Sequence, residues 1–140
     1  MVFDWDGTAV ADRHHSARRV RARIEQLSCH GVHAAVISGT HVDNIDGPLR
    51  ARPKGPGQLL LALNRGSELF EVTTTGPRLI ARRTETPEIT RMLDQAAATI
   101  TATLRARGLA VTMVSNRLNR RKIDLIPEPT WSDPPQSPHR

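Results

Sequence analysis

Two short apolar runs, VF at residues 2–3 and VHAAVIS at residues 32–38, flank a segment whose apolar residues recur at helical spacing. Strand, helix, strand within about 35 residues is a βαβ unit. Its two strands should lie parallel with a right-handed crossover, which leaves few folds open. The helix is expected from Ser16 to about Cys29, with Ser16 as N-cap and Val20, Ile24 and Leu27 on one face. The arginines of RRVRAR fall mainly on the other face, and Gly31, tolerant of the left-handed conformation, is a sensible stop. Only three residues precede Asp4, where a central strand runs about five or six. The first strand therefore reads as clipped.

Further on, residues 41–51 predict a short helix interrupted at Gly47-Pro48, and ARPKGPG at 51–57 predicts a loop. QLLLAL is a buried segment, and Asn64 to Ser67 reads as a turn. RLIARRT predicts a strand after a Gly76-Pro77 turn. Thr86-Pro87 then opens a long helix with Glu88 in its first turn. Ile89, Met92, Leu93, Ala96, Ile100 and Leu104 share one face of that helix, which stops at Gly108. LAVTMVS and RKIDLIP predict an antiparallel hairpin. Five prolines in the last 14 residues predict no regular structure there.

At 140 residues the chain suits one domain or part of a larger one. Cys29 is its one cysteine, so an intramolecular disulfide is excluded and a reducing, cytoplasmic setting is expected. There is no run of about 18 apolar residues for a membrane span, and the N-terminus lacks the basic and apolar regions of a signal peptide. The net charge is +6, and of 20 basic residues only Lys54 and Lys122 are lysines. Such a surface attracts phosphate-bearing partners, nucleic acid among them. The absence of tyrosine, and of aromatics interleaved with the arginines, weighs against base stacking.

The carboxyl end of a parallel strand opens into the crevice where α/β sheets bind ligands. VFDWDGT places Asp4 and Asp6 there, one residue apart. Two such carboxylates repel each other, and a divalent cation removes the conflict; hard oxygen ligands suit Mg²⁺. One carboxylate can then attack phosphorus while the other protonates the leaving group and later activates water. Gly7 allows a sharp turn behind the pair, and the Thr8 hydroxyl can fix it.

DWDGT resembles the first signature of the haloacid dehalogenase (HAD) superfamily, in its phosphatase and phosphotransferase branch. AAVISGT, with Ser38 34 residues after Asp4, resembles the second. The resemblance implies a Mg²⁺-dependent phosphohydrolase of a small phosphorylated metabolite, working through an aspartyl-phosphate. By it Asp4 is the nucleophile and Asp6 the general acid/base. Ser38 and the Gly39 backbone hold the phosphoryl group, and Asp4 and the carbonyl of Asp6 ligate Mg²⁺. LLLALNRGSELFEV is similar to the segment after the second signature in the C2-capped branch, which includes trehalose-phosphate and sugar-phosphate phosphatases. The implied fold is α/β: a partial Rossmann-like core over 1–71, an α+β cap over 72–127 and a Pro-rich tail over 128–140. The chain departs from the pattern in three places. Thr40 and His41 stand where the branch has arginine. Lys122, the one candidate for the third signature, precedes IDLIP rather than following it. The Gly-Asp pair of the fourth signature is missing, so the chain reads as truncated before the second half of the core sheet.

Other groups have plainer readings. Cys29, His30 and His33 in CHGVH lack a fourth metal ligand and read as helix-end surface groups. His14 and His15 read as a solvated turn near the site. Asp43, Asn44 and Asp46 begin like a calcium loop that no glutamate closes. Arg117, Arg120 and Arg121 could meet a phosphorylated substrate. Competing expectations are an inactive HAD-like fragment and a basic nucleic-acid-binding module. An open sheet edge beside Asp4 would also invite a homo-oligomer.

Overall fold

In the computed structural model, which describes residues 1–11, 16–114 and 117–126, the two apolar runs form parallel strands. They are β1 (Val2–Asp4) and β2 (Ala34–Ile37), with Asp4 opposite Ile37. Between them runs α1 (Arg18–Cys29). It starts two residues after the expected cap, and Ser16 Oγ accepts from the Arg18 N–H at 3.4 Å. Ile24 is buried, Val20 and Leu27 are half-buried, and the four arginines of RRVRAR are exposed, as their spacing requires.

The next helix, α2 (Asp43–Leu49), runs through Gly47-Pro48 instead of breaking there. In so short a helix the proline forfeits a single backbone donor. The Arg50 N–H still closes on the Asp46 carbonyl at 2.8 Å, and Arg50 ends the helix in the left-handed region. Ile45 and Leu49, one turn apart, are its buried residues. Strands β3 (Leu59–Leu63), β4 (Glu68–Thr73) and β5 (Gly76–Arg82) complete a five-stranded sheet in sequential order. The pairs β1–β2 and β2–β3 are parallel; β3–β4 and β4–β5 are antiparallel. The last turn is Thr74-Thr75, two residues earlier than expected, with Thr73 paired to Gly76. Pro77 is tolerated because β5 is an edge strand.

One face of the sheet is the core. Phe3, Val36, Leu61 and Phe70 lie opposite one another across four strands. They pack with Trp5, Ile24, Ile45, Leu49, Leu59 and Leu63, so both helices cover this face. Alternate residues face the other way, where Val2 is 64% and Ile37 46% exposed. Sheets with parallel pairs are ordinarily covered on both faces. Among the described residues α1 and α2 pack on the first face and β1 pairs with β2 alone.

The chain divides into two compact units at Thr84/Glu85. β5 belongs to the first sheet, so the division falls later than the expected boundary at residue 72. The second unit holds α3 (Pro87–Ala106) and the hairpin β6 (Val111–Val114) and β7 (Lys122–Leu125). Thr86 caps α3 by accepting from the Ile89 N–H, Pro87 sits at the first helical position, and Gly108 follows the helix at φ +79°. The buried stripe differs from the expected one. Leu93, Ala97, Thr101 and Leu104 are buried or half-buried, whereas Ile89, Met92 and Ile100 are 40 to 69% exposed. A two-stranded hairpin is narrower than the helix's apolar arc, so only part of that arc finds cover. Among the described residues no helix is long and apolar enough to cross a membrane. His14, His15 and the tail at 128–140 lie outside the described residues.

Candidate functional site

The turn after β1 is closed by backbone alone. The Trp5 carbonyl accepts from the N–H groups of Thr8, Ala9 and Val10 at 3.0 to 3.4 Å, and the Gly7 N–H donates to the Val10 carbonyl at 2.8 Å. Gly7 has φ +78°, the left-handed region expected of it. The Thr8 contribution is its N–H, not its hydroxyl. Trp5 is 1% exposed and anchors the turn in the core. Asp4 and Asp6, one residue to either side, are both exposed. Alternation along an extended chain accounts for this: burying the indole turns both carboxylates outward.

Register brings the second segment alongside. Asp4 lies opposite Ile37, so Ser38 and Gly39 follow at the same carboxyl edge of the sheet. The Ser38 N–H donates to the Ala62 carbonyl at 3.0 Å, and its carbonyl accepts from the Arg65 N–H at 3.3 Å. Its hydroxyl oxygen accepts from the Thr40 N–H at 3.3 Å, which leaves the hydroxyl proton available for donation. Ser38 is 6% exposed, so only its outer edge can be reached. The loop beyond it is held by the Asn64 N–H on the Thr40 carbonyl (3.1 Å) and by Asn44 Nδ2 on Thr40 Oγ1 (2.6 Å). His41 Nδ1 lies 3.2 Å from Asp43, so His41 turns toward its own helix.

A polar group that sequence reasoning missed stands at the same edge, after β3. Asn64 and Glu68 are 2 and 4% exposed. Asn64 Nδ2 donates to Glu68 Oε2, Arg82 Nε donates to Glu68 Oε1 at 2.8 Å, and Arg82 Nη2 lies 2.7 Å from the same oxygen as an ion pair. Glu68 shares the inward phase of Phe70 and Val72, and a charge in that phase was the available signal. Its buried carboxylate persists because its oxygens are engaged by a guanidinium and an amide.

Two exposed carboxylates match what Mg²⁺ takes from a protein, which is one or two carboxylates with water and phosphate filling the other positions. Among the described residues no group of three His, Cys, Asp or Glu side chains could hold a metal. Lys122, on β7 of the second unit, pairs with Asp124 at 2.9 Å. Asp46, set in the calcium-like run, instead receives Arg52 through both guanidinium nitrogens, at 2.7 and 2.9 Å. Cys29 ends α1, His30 caps it, and His33 Nδ1 accepts from the Gln58 N–H at 3.2 Å. Arg121 pairs with Asp94 of α3. Compared with known protein families, curated proteins and solved structures, the chain matches none.

Proposed function

We propose that the carboxyl edge of β1 and β2 is a phosphoryl-transfer site of the HAD type, acting on a small phosphorylated metabolite. The observation that carries this reading is the register that sets Asp4 opposite Ile37, bringing two exposed carboxylates to the same edge as a serine hydroxyl. In this reading Asp4 attacks phosphorus in line, and Asp6 gives a proton to the departing oxygen. The resulting acyl phosphate is cleaved by water that Asp6 deprotonates, which frees the Asp4 carboxylate and returns Asp6 to its protonated form. The Ser38 hydroxyl and the Gly39 N–H donate to the phosphoryl oxygens. Mg²⁺ held by the Asp4 carboxylate and the Asp6 carbonyl would neutralise charge on the phosphoryl group.

The test is phosphate release from p-nitrophenyl phosphate and a panel of sugar phosphates, with Mg²⁺ and with EDTA. Metal-dependent turnover is expected, falling to background in Asp4→Asn and by about 10²- to 10⁴-fold in Asp6→Asn. Equal turnover in Asp4→Asn would remove Asp4 from the reaction.

A second reading, a HAD-like fold that binds phosphate without turning it over, is favoured by the lack of a third acidic ligand among the described residues. No turnover, together with phosphate binding that Ser38→Ala weakens, would establish it. A nucleic-acid module is supported less, because carboxylates already occupy Arg52, Arg78, Arg82, Arg91 and Arg121.

A further inference from the structure

Away from Asp4 and Asp6, the segment after α2 carries basic residues at alternate positions: Arg50, Arg52 and Lys54. Ala51 and Pro53 between them are buried. With Ala51 and Pro53 buried, all three cations line one cleft. They face the outer side of α1, where Arg21, Glu25 and Cys29 are aligned one turn apart. These six residues line a cleft of about 420 Å³. That falls within the roughly 300–1,000 Å³ of small-molecule sites.

The loop that follows the segment is clasped to the end of α1 by two hydrogen bonds between Gly57 and Ser28. The Gly57 N–H donates to the Ser28 carbonyl at 3.0 Å, and Ser28 Oγ donates to the Gly57 carbonyl at 2.8 Å. A Cβ on Gly55 or Gly57 would overlap the backbone of Ser28 and Cys29, or of Ser28 and Val32. The Arg52 N–H donates to Glu25 Oε1 at 2.9 Å, and Asp46 holds the Arg52 guanidinium from behind. The Ser28 carbonyl, at the helix end, is occupied by the N–H groups of Gly31 and Gly57, so it does not stand as a bare acceptor.

The charge balance is uneven. Four cations line the cleft against the single carboxylate of Glu25, which lies 3.9 Å from Arg21. Among the described residues neither Arg50 nor Lys54 has a carboxylate within ion-pair distance; the Arg50 Nε–H donates to the Gly47 carbonyl at 3.0 Å. Two uncompensated positive groups on a fixed wall, with Arg21 and Arg52 beside them, suit a compact anion bearing more than one charge.

We propose that the cleft between α1 and residues 50–54 binds a diphosphate group, either free pyrophosphate or the diphosphate of a nucleotide. Arg50 and Lys54 supply the decisive charge, Arg21 and Arg52 the flanking donors, and Glu25 limits affinity. The site is separate from Asp4 and Asp6 and does not rest on their chemistry.

Isothermal titration of the full chain in EDTA, with inorganic pyrophosphate, ADP and AMP, tests it. Pyrophosphate and ADP should bind at least tenfold more tightly than AMP. Equal affinities would identify free diphosphate as the ligand, and tighter ADP would identify a nucleotide. Arg50→Gln with Lys54→Gln should weaken pyrophosphate at least tenfold. Glu25→Gln, which keeps an acceptor for the Arg52 N–H, should tighten it. Arg91→Gln with Arg105→Gln, the same charge change on α3, and Ser38→Ala should each leave it unchanged. Cys29 is exposed and is the chain's one thiol, so pyrophosphate should also slow its alkylation by iodoacetamide. Absence of binding, AMP binding as tightly as ADP, or equal losses in the α3 control would overturn the proposal. A Ser38→Ala loss with the cleft variant unaffected would overturn it too, and would assign the binding to the Asp4 edge.

Discussion

Gly7 and Gly57 carry the same residue for different reasons, and the difference is measurable. At Gly7 the backbone is left-handed but nothing lies within 4 Å of where a Cβ would stand. Gly7→Ala should therefore cost about 1–2 kcal/mol, the conformational penalty alone. At Gly57 a Cβ would meet the Val32 carbonyl and Ser28, and neither is a flexible side-chain end. Gly57→Ala should cost about 3 kcal/mol or more, since backbone must shift. Urea midpoints of the two variants check the order. Asp46→Asn removes half of a bidentate, partly buried pair with Arg52 and should cost about 1–2 kcal/mol by the same measurement. The role of Gly7 was legible, because an Asp-Gly step after an apolar run announces a turn. That of Gly57 was not, because its constraint comes from Val32 and Ser28, remote in the chain.

At the scale of elements, α3 shows which local signals survive folding. Its cap, its first-turn acid and its stop residue all act where the sequence put them. The Glu88 carboxyl is held below its usual range by its own backbone N–H and by the Thr86 hydroxyl, and Asp94 is held below by Arg121. Both folded-state pKa values are depressed, so their stabilisation is present at neutral pH and is lost as pH falls below about 4, through those values. The helical signal of the second unit should weaken over that range, and Arg121→Gln should flatten the response; circular dichroism across an acid titration reads both. Thr86→Ala should cost about 0.5–1 kcal/mol at pH 7. The facing of α3 was misjudged from the pattern, because its apolar arc is wider than its hairpin. Periodicity locates an apolar arc but not which part of it a partner covers.

Across the whole molecule, the buried cluster lies entirely within residues 5–72, while the second unit buries only Ala97 and Val111 among its described apolar residues. Native-state hydrogen exchange should therefore protect β2 and β3 most strongly and α3, β6 and β7 least. Comparable protection in α3 and β3 would contradict this. The uncovered face of the sheet gives a second expectation. Ile37→Lys should change stability by no more than about 0.5 kcal/mol, because its side of the sheet already meets water. Light scattering at high concentration should fall in that variant.

The sequence by itself determined the parallel β1–β2 pair, the crossover helix, the turn at Gly7, the capped helix α3 and the final hairpin. The turn, the cap and the hairpin depend on near neighbours, and the parallel pair follows from the single crossover helix between its strands. It also set Asp4, Asp6, Ser38 and Gly39 at one edge of the sheet, because strand ends are readable and parallel strands share an edge. The tertiary structure decided the rest. It joined β5 to the first sheet, buried Glu68 against Arg82 and Asn64, turned Asp46 to Arg52, and clasped Gly57 to α1 so that Arg50, Arg52 and Lys54 line a cleft. Those contacts join residues with no shared period. They follow from which surfaces remain to be covered once the local elements have formed.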